Sequence, residues 1–160
     1  VSKTKKTLGM RVLESAGVAY EVITFPENIH DALGVAEWAG EPPERVYKTL
    51  VVQSMGARGR PVLVMIAADR TLNLKALAQA IGAKRAEMAS HADAERLTGL
   101  KVGGISALAL TGKHWDVYID TRALAHDAII VSAGQRGIDL RVPVEGLLRV
   151  TGARPVDVAE

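Results

Sequence analysis

The sequence predicts an α+β fold, a mixed and largely antiparallel, barrel-like sheet surrounded by helices. Three observations predict it. Helix-periodic and strand-like segments follow one another without strict β-α alternation, which argues against a doubly wound parallel sheet. Two apolar runs, Val46 to Gln53 and Val62 to Ala68, are separated by a glycine-bearing turn and read as neighbouring antiparallel strands. Four more short strand candidates crowd the C-terminal half, enough to curl into a partly open barrel. The chain has 160 residues, 48% hydrophobic and 24% charged, so residues 1–160 are expected to fold as one domain around a single sizeable core.

Taken in order, Leu8, Val12, Leu13 and Ala16 recur at helical spacing, with Thr4 as the expected cap and Gly17 as the stop. Tyr20 to Phe25 is β-branched and aromatic, and Pro26 ends it because proline cannot donate to a ladder. A short helix is expected from Asp31 to Ala39, closed by Gly40, then one helical turn at Pro43-Glu44-Arg45. The two apolar strands follow, joined through Gly56 and Gly59. Leu72, Leu74, Leu77, Ala78 and Ile81 give the strongest helical pattern, capped by Thr71 or Asn73 and stopped by Gly82. Ser90 with Asp93 opens another helix that ends at Thr98-Gly99. Strands are expected at Ala107 to Leu110, Asp116 to Asp120, Ala128 to Val131 and Ile138 to Val142, and Pro143 opens a last helix through Val150.

Composition excludes several chemistries. With no cysteine there is no disulfide framework, thiolate metal site or cysteine nucleophile. Six aromatics are too few for a platform that stacks successive bases, and a net charge of +2 permits contact with a polyanion without establishing it. The longest apolar stretch, Val62 to Ala68, is far short of the ~20 residues that span a bilayer. The basic start runs into a helical pattern without a signal-peptide core, so a soluble, cytoplasmic protein with no membrane partner is expected.

No phosphate loop, zinc helix or calcium loop is present, and no metal or cofactor is called for. His30, His91, His114 and His126 are dispersed and are assigned solvated or packing roles. Gly104-Ile105-Ser106-Ala107-Leu108 starts like a nucleophile elbow but lacks its second glycine. Three polar or glycine-rich interruptions remain. Lys48 opens an apolar strand, where its ammonium either snorkels to water or meets an anion. Gly103-Gly104 is either a tight turn or a nest of backbone donors. Ser132 to Asp139 is either a plain connection between strands or a polar loop beside a ligand, and its Gly134-x-x-Gly137 spacing matches the backbone clamp of KH domains only weakly. None of these groups is a strong base near neutral pH, since a carboxylate such as Asp139 ordinarily titrates near ~3.9. Chemistry that needs no enzyme nucleophile fits best.

Together the segments Val46-Tyr47-Lys48-Thr49-Leu50, Leu72 to Lys84, Val102-Gly103-Gly104-Ile105-Ser106 and Val131 to Asp139 closely resemble the YbaK family of aminoacyl-tRNA deacylases. That family is similar to the editing domain inserted in bacterial prolyl-tRNA synthetase. The resemblance spans nearly the whole chain and implies a barrel-like mixed sheet with outer helices. It implies hydrolysis of the ester that joins a wrong amino acid to the terminal ribose of tRNA, typically cysteine on proline tRNA. By the same resemblance, Lys48 is the functional lysine and the backbone of Gly103-Gly104 holds the aminoacyl group; the mechanism expected from this is that Lys48 and the turn polarise the ester for attack by water or by the substrate's own thiol. Thr49, Ile105, Ser106, Ser132 and Asp139 would line the pocket, with Phe25 as a nearby aromatic. One departure concerns the proline that the family usually places after the serine of the glycine turn: Ala107 stands there.

The implied partners are the aminoacylated acceptor end of tRNA and prolyl-tRNA synthetase, which would select the tRNA for so small a domain. Two rival readings are a relative that clears alanine or serine, since a methylene or hydroxyl discriminates by only ~1–3 kcal/mol, and a non-catalytic module that binds the RNA end.

Overall fold

The computed structural model describes residues 5–55 and 59–160. The expected cap Thr4 and turn residue Gly56 lie outside the described residues. Helices are α1 (Leu8–Ser15), α2 (Ala32–Ala39), α3 (Leu74–Ile81), α4 (His91–Thr98) and α5 (Val144–Thr151). Strands are β1 (Glu21–Thr24), β2 (Tyr47–Met55), β3 (Val62–Ala67), β4 (Arg85–Met88), β5 (Asp116–Asp120), β6 (Ala128–Gln135), β7 (Ile138–Pro143) and β8 (Arg154–Val156). Helix starts follow local side-chain chemistry. Thr7, Asp31, Asn73 and Ser90 each accept a backbone N–H from three residues on, satisfying a donor that the first helical turn leaves free.

The strands form two sheets. One is antiparallel with order β1-β7-β6, and the other is mixed with order β4-β2-β3-β5-β8. In the larger sheet β2 pairs antiparallel with β3 and β4, whereas β3-β5 and β5-β8 are parallel. The sheets do not close into a barrel; a single parallel bridge, Val46 to Ile130, links β6 to the residue that precedes β2.

Alternation along β3 explains its unbroken apolar sequence. Leu63, Met65 and Ala67 face the main core with Leu13, Ile119, Ile129, Leu140 and Leu147. Val62, Val64 and Ile66 face the opposite layer with Leu77 of α3. A strand buried on both faces needs no polar residue. A third, small cluster of Phe25, Val35, Ala36, Val46, Ala68 and Ile130 sits under α2.

The structure departs from the sequence reading at several places. Ala107 to Leu110 is a buried turn, not a strand: the Ser106 hydroxyl accepts the Ala109 N–H, and Thr111 N–H bonds back to Leu108. β4 has no strand-like pattern in sequence, because Arg85 and Glu87 face solvent on a sheet edge with only Ala86 buried. β8 carries Pro155, which an edge strand accommodates. The interval between Ser132 and Asp139 is mostly strand, and only Arg136-Gly137 turns the chain, with a register shift between Ser132 and Gln135. No helix among the described residues is long and apolar enough to cross a membrane.

Candidate active site

Sheet geometry assembles the site. Side chains of a strand alternate faces, so the bridge that aligns Val46 with Ile130 also places Lys48 and Ser132, each two residues on, on one shared side. Asp139 lies directly opposite Ser132 across the β6-β7 ladder, and cross-strand partners point to the same face. A cavity of about 250 Å³ opens over this face. Lys48, Thr49, Ser132 and Asp139 line it from the sheets, and Gly103 and Ile105 line it from the glycine turn.

The remaining three predicted residues lie outside that lining. Phe25 packs behind it in the small apolar cluster. Ser106 is 1% exposed and spends its hydroxyl on the Ala109 N–H. Gly104 gives its N–H to the Lys101 carbonyl at 2.7 Å, so that donor is engaged inside the protein. The glycine identity of Gly104 has a packing cause, because a Cβ there would sit 2.9 Å from the Arg136 nitrogen and the Gln135 backbone.

Sequence reasoning misses the remaining walls. His30, Asp31 and Val35 come from the start of α2, and Met88, Ala89 and His91 come from the β4-α4 junction. Dispersal along the chain conceals His30 and His91. The one local signal is that each adjoins a helix cap, Asp31 or Ser90, where the chain turns toward the sheet.

Burial gives the site its electrostatics. Desolvation lowers the pKa of Lys48, with the field of Asp69 acting the other way, and its ammonium makes no ion pair among the described residues. Desolvation pushes Asp139 up to about 7, which corrects the expectation that it titrates as an ordinary carboxylate. The Asp139 side chain is buried and carries a proton through the acid and into the neutral range. No group of three or more His, Cys, Asp or Glu among the described residues could hold a metal.

The aminoacyl-tRNA editing domain profile matches residues 26–150, most of the chain. The chain belongs to this family. The editing domain is also 35% identical over 156 residues to "Putative Cys-tRNA(Pro)/Cys-tRNA(Cys) deacylase EbsC" of Enterococcus faecalis (strain ATCC 700802 / V583), covering 96% of this chain and 93% of that protein. Among solved structures it resembles hypothetical protein APE2540 with a TM-score of 0.84 and 23% identity, over 94% of this chain and 97% of that one. It also resembles "a putative trans-editing enzyme for prolyl tRNA synthetase" with a TM-score of 0.81 and 22% identity, over 98% and 99% of the two chains. These two likenesses show that the editing-domain fold extends across nearly the whole chain.

On the wall of the editing pocket, Tyr47 carries a cost that the fold tolerates. Its hydroxyl is buried without a hydrogen-bond partner among the described residues, and burial, aided by the fields of Asp120 and Asp69, pushes the phenol up to about 12. Tyr47→Phe removes an unsatisfied group and keeps the ring, so it is expected to stabilise the protein by about 1 kcal/mol in urea denaturation. A loss of similar size would mean that the hydroxyl has a partner in solution.

Proposed function

We propose that this editing domain deacylates mischarged tRNA in trans, with Cys-tRNA(Pro) as its main substrate. The observation that carries the reading is the meeting of a half-buried, unpaired lysine, Lys48, with Gly103 around one small cavity. The Gly103 N–H has no acceptor among the described residues. A cation and a backbone donor at one carbonyl are the parts that stabilise the oxyanion of ester hydrolysis. The likeness to the Enterococcus faecalis protein supports the choice of substrate.

In this mechanism the cavity takes the aminoacyl group; at about 250 Å³ it lies below the ~300–1,000 Å³ of a cleft for a drug-sized ligand. Lys48 and Gly103 polarise the acyl carbonyl, and Thr49, Ile105 and Ser132 shape the surrounding walls. The substrate's own side-chain thiol attacks the ester carbon to form a cyclic thioester, its proton passes to the ionised form of Asp139, and Asp139 returns that proton to the departing ribose oxygen. Asp139, which titrates at about 7, is matched to that transfer near neutral pH. Phe25, Gly104 and Ser106 hold the walls from behind.

Recognition of the tRNA body is delegated to prolyl-tRNA synthetase in a ternary complex, and the work is done in the cytoplasm. Charged tRNAs bearing cysteine, serine, alanine and proline, incubated with and without the synthetase, test this reading. Fast release of cysteine with serine and alanine at least tenfold slower is expected. Equal rates for cysteine, serine and alanine would remove the thiol route, and binding without release would make the protein a tRNA-end module.

A further inference from the structure

The glycine turn is a reverse turn closed by the Gly104 N–H on the Lys101 carbonyl at 2.7 Å, with Val102 and Gly103 at its centre. Gly103 has φ +92, whereas Val102 is not among the residues with positive φ, which is the type II pattern. Types I and II differ by a flip of the central peptide, here the one joining Val102 to Gly103. Glycine at the third position accepts both forms, so the residue that permits the observed turn does not select it.

The selection comes from elsewhere in the chain. Arg136 Nε donates to the Val102 carbonyl at 2.7 Å, across 34 positions of sequence. A trans peptide is planar, so its carbonyl and its N–H point to opposite sides. Fixing the Val102 oxygen therefore fixes the direction of the Gly103 N–H. Gly103 lines the cavity and Arg136 does not. The base of the arginine is itself anchored, because Gly104 packs on the Arg136 backbone and the neighbouring Gly137 carbonyl accepts the Phe25 N–H at 3.0 Å.

We infer that Arg136 is a positioning residue, a latch that holds the Val102–Gly103 peptide in the orientation that presents the Gly103 N–H to the acyl carbonyl. The inference rests on the proposed deacylase reading for its consequence in catalysis, but not for its geometry. The latch also supplies, from across the site, a restraint on the turn that Ala107 does not provide.

The test combines kinetics with NMR on full-length protein, using Arg136→Met and Arg136→Lys. Arg136→Met is expected to lower kcat on Cys-tRNA(Pro) by ~10- to 100-fold, the worth of one charge-assisted hydrogen bond, with KM nearly unchanged and the melting temperature lowered by a few degrees. Arg136→Lys, which keeps a donor without the planar fork, is expected to recover part of that loss. In ligand-free ¹⁵N-labelled protein the Gly103 amide is expected to give one sharp resonance in the wild type and microsecond-to-millisecond exchange in Arg136→Met. An unchanged kcat, or a lowered kcat with a Gly103 amide as quiet as in the wild type, overturns the latch. If Arg136→Met does not fold, the same readouts on Arg136→Lys decide. If the wild type releases no amino acid from any tRNA, the deacylase reading fails, and exchange at Gly103 alone decides the latch.

Discussion

Lys48→Ala is expected to lower the single-turnover rate of Cys-tRNA(Pro) hydrolysis by ~10²- to 10³-fold, the usual consequence of removing one oxyanion donor. The position itself explains why so much rests on it. Lys48 is the second residue of β2 and lies opposite the fully buried Ile66, and desolvation lowers its pKa without an ion pair among the described residues to offset the cost. A lysine held at this expense gives its charge to whatever enters the cavity. The same reasoning fixes the sign of the effect on folding: alanine removes a desolvated charge, so the variant should unfold at the same or a slightly higher urea concentration. Lys48→Arg should restore little activity, because a planar fork does not replace a compact point charge in a cavity of about 250 Å³. An alanine variant within threefold of the wild-type rate would take Lys48 out of the chemistry.

Asp139→Asn is expected to change the pH dependence of stability more than any other single substitution at the site. Burial raises the folded-state pKa from 3.8 to about 7, so between about pH 4 and pH 7 the folded protein holds a proton that the unfolded chain has released. Stability from this group is therefore complete below about pH 4 and declines as pH rises, until it is lost above about pH 7. A rise of that size is worth up to about 4 kcal/mol, reduced by any water that reaches the carboxyl through the cavity. Asparagine cannot ionise and abolishes the decline. Denaturation midpoints measured from pH 4.5 to pH 8.5 should favour the variant increasingly toward high pH. Parallel curves for the two proteins would show that Asp139 titrates as an ordinary carboxylate.

Much of this site is legible in the sequence because the residues that carry it break strong patterns. Lys48 interrupts an apolar strand and Gly103-Gly104 interrupts an apolar stretch, but each alone reads equally as an edge lysine or a plain turn, and the family resemblance is what singles them out. Ser132 and Asp139 are legible as polar positions, but their direct opposition needs the strand register. What stays hidden depends on long-range contact. The raised pKa of Asp139 arises from desolvation in the assembled fold, to which a local reading is blind. Ala107 to Leu110 has the composition of a buried strand, but the Ser106 hydroxyl at its start and the bonds from Thr111 back to Ala107 and Leu108 make it a turn. The edge strands β4 and β8 lack an apolar face, since their pairing is supplied by neighbours rather than by their own sequence. The hydrogen bond from Arg136 to Val102 joins segments 34 residues apart, and nothing in either segment alone announces it.

The most direct measurement is a crystal structure of the protein with a 3′-cysteinylamino-3′-deoxyadenosine, in which a stable amide replaces the ester. The acyl oxygen should accept hydrogen bonds from both Lys48 Nζ and the Gly103 N–H, each at ~2.7–3.2 Å. An analogue bound with its acyl group away from either donor, or seated outside the cavity, would contradict a shared oxyanion site.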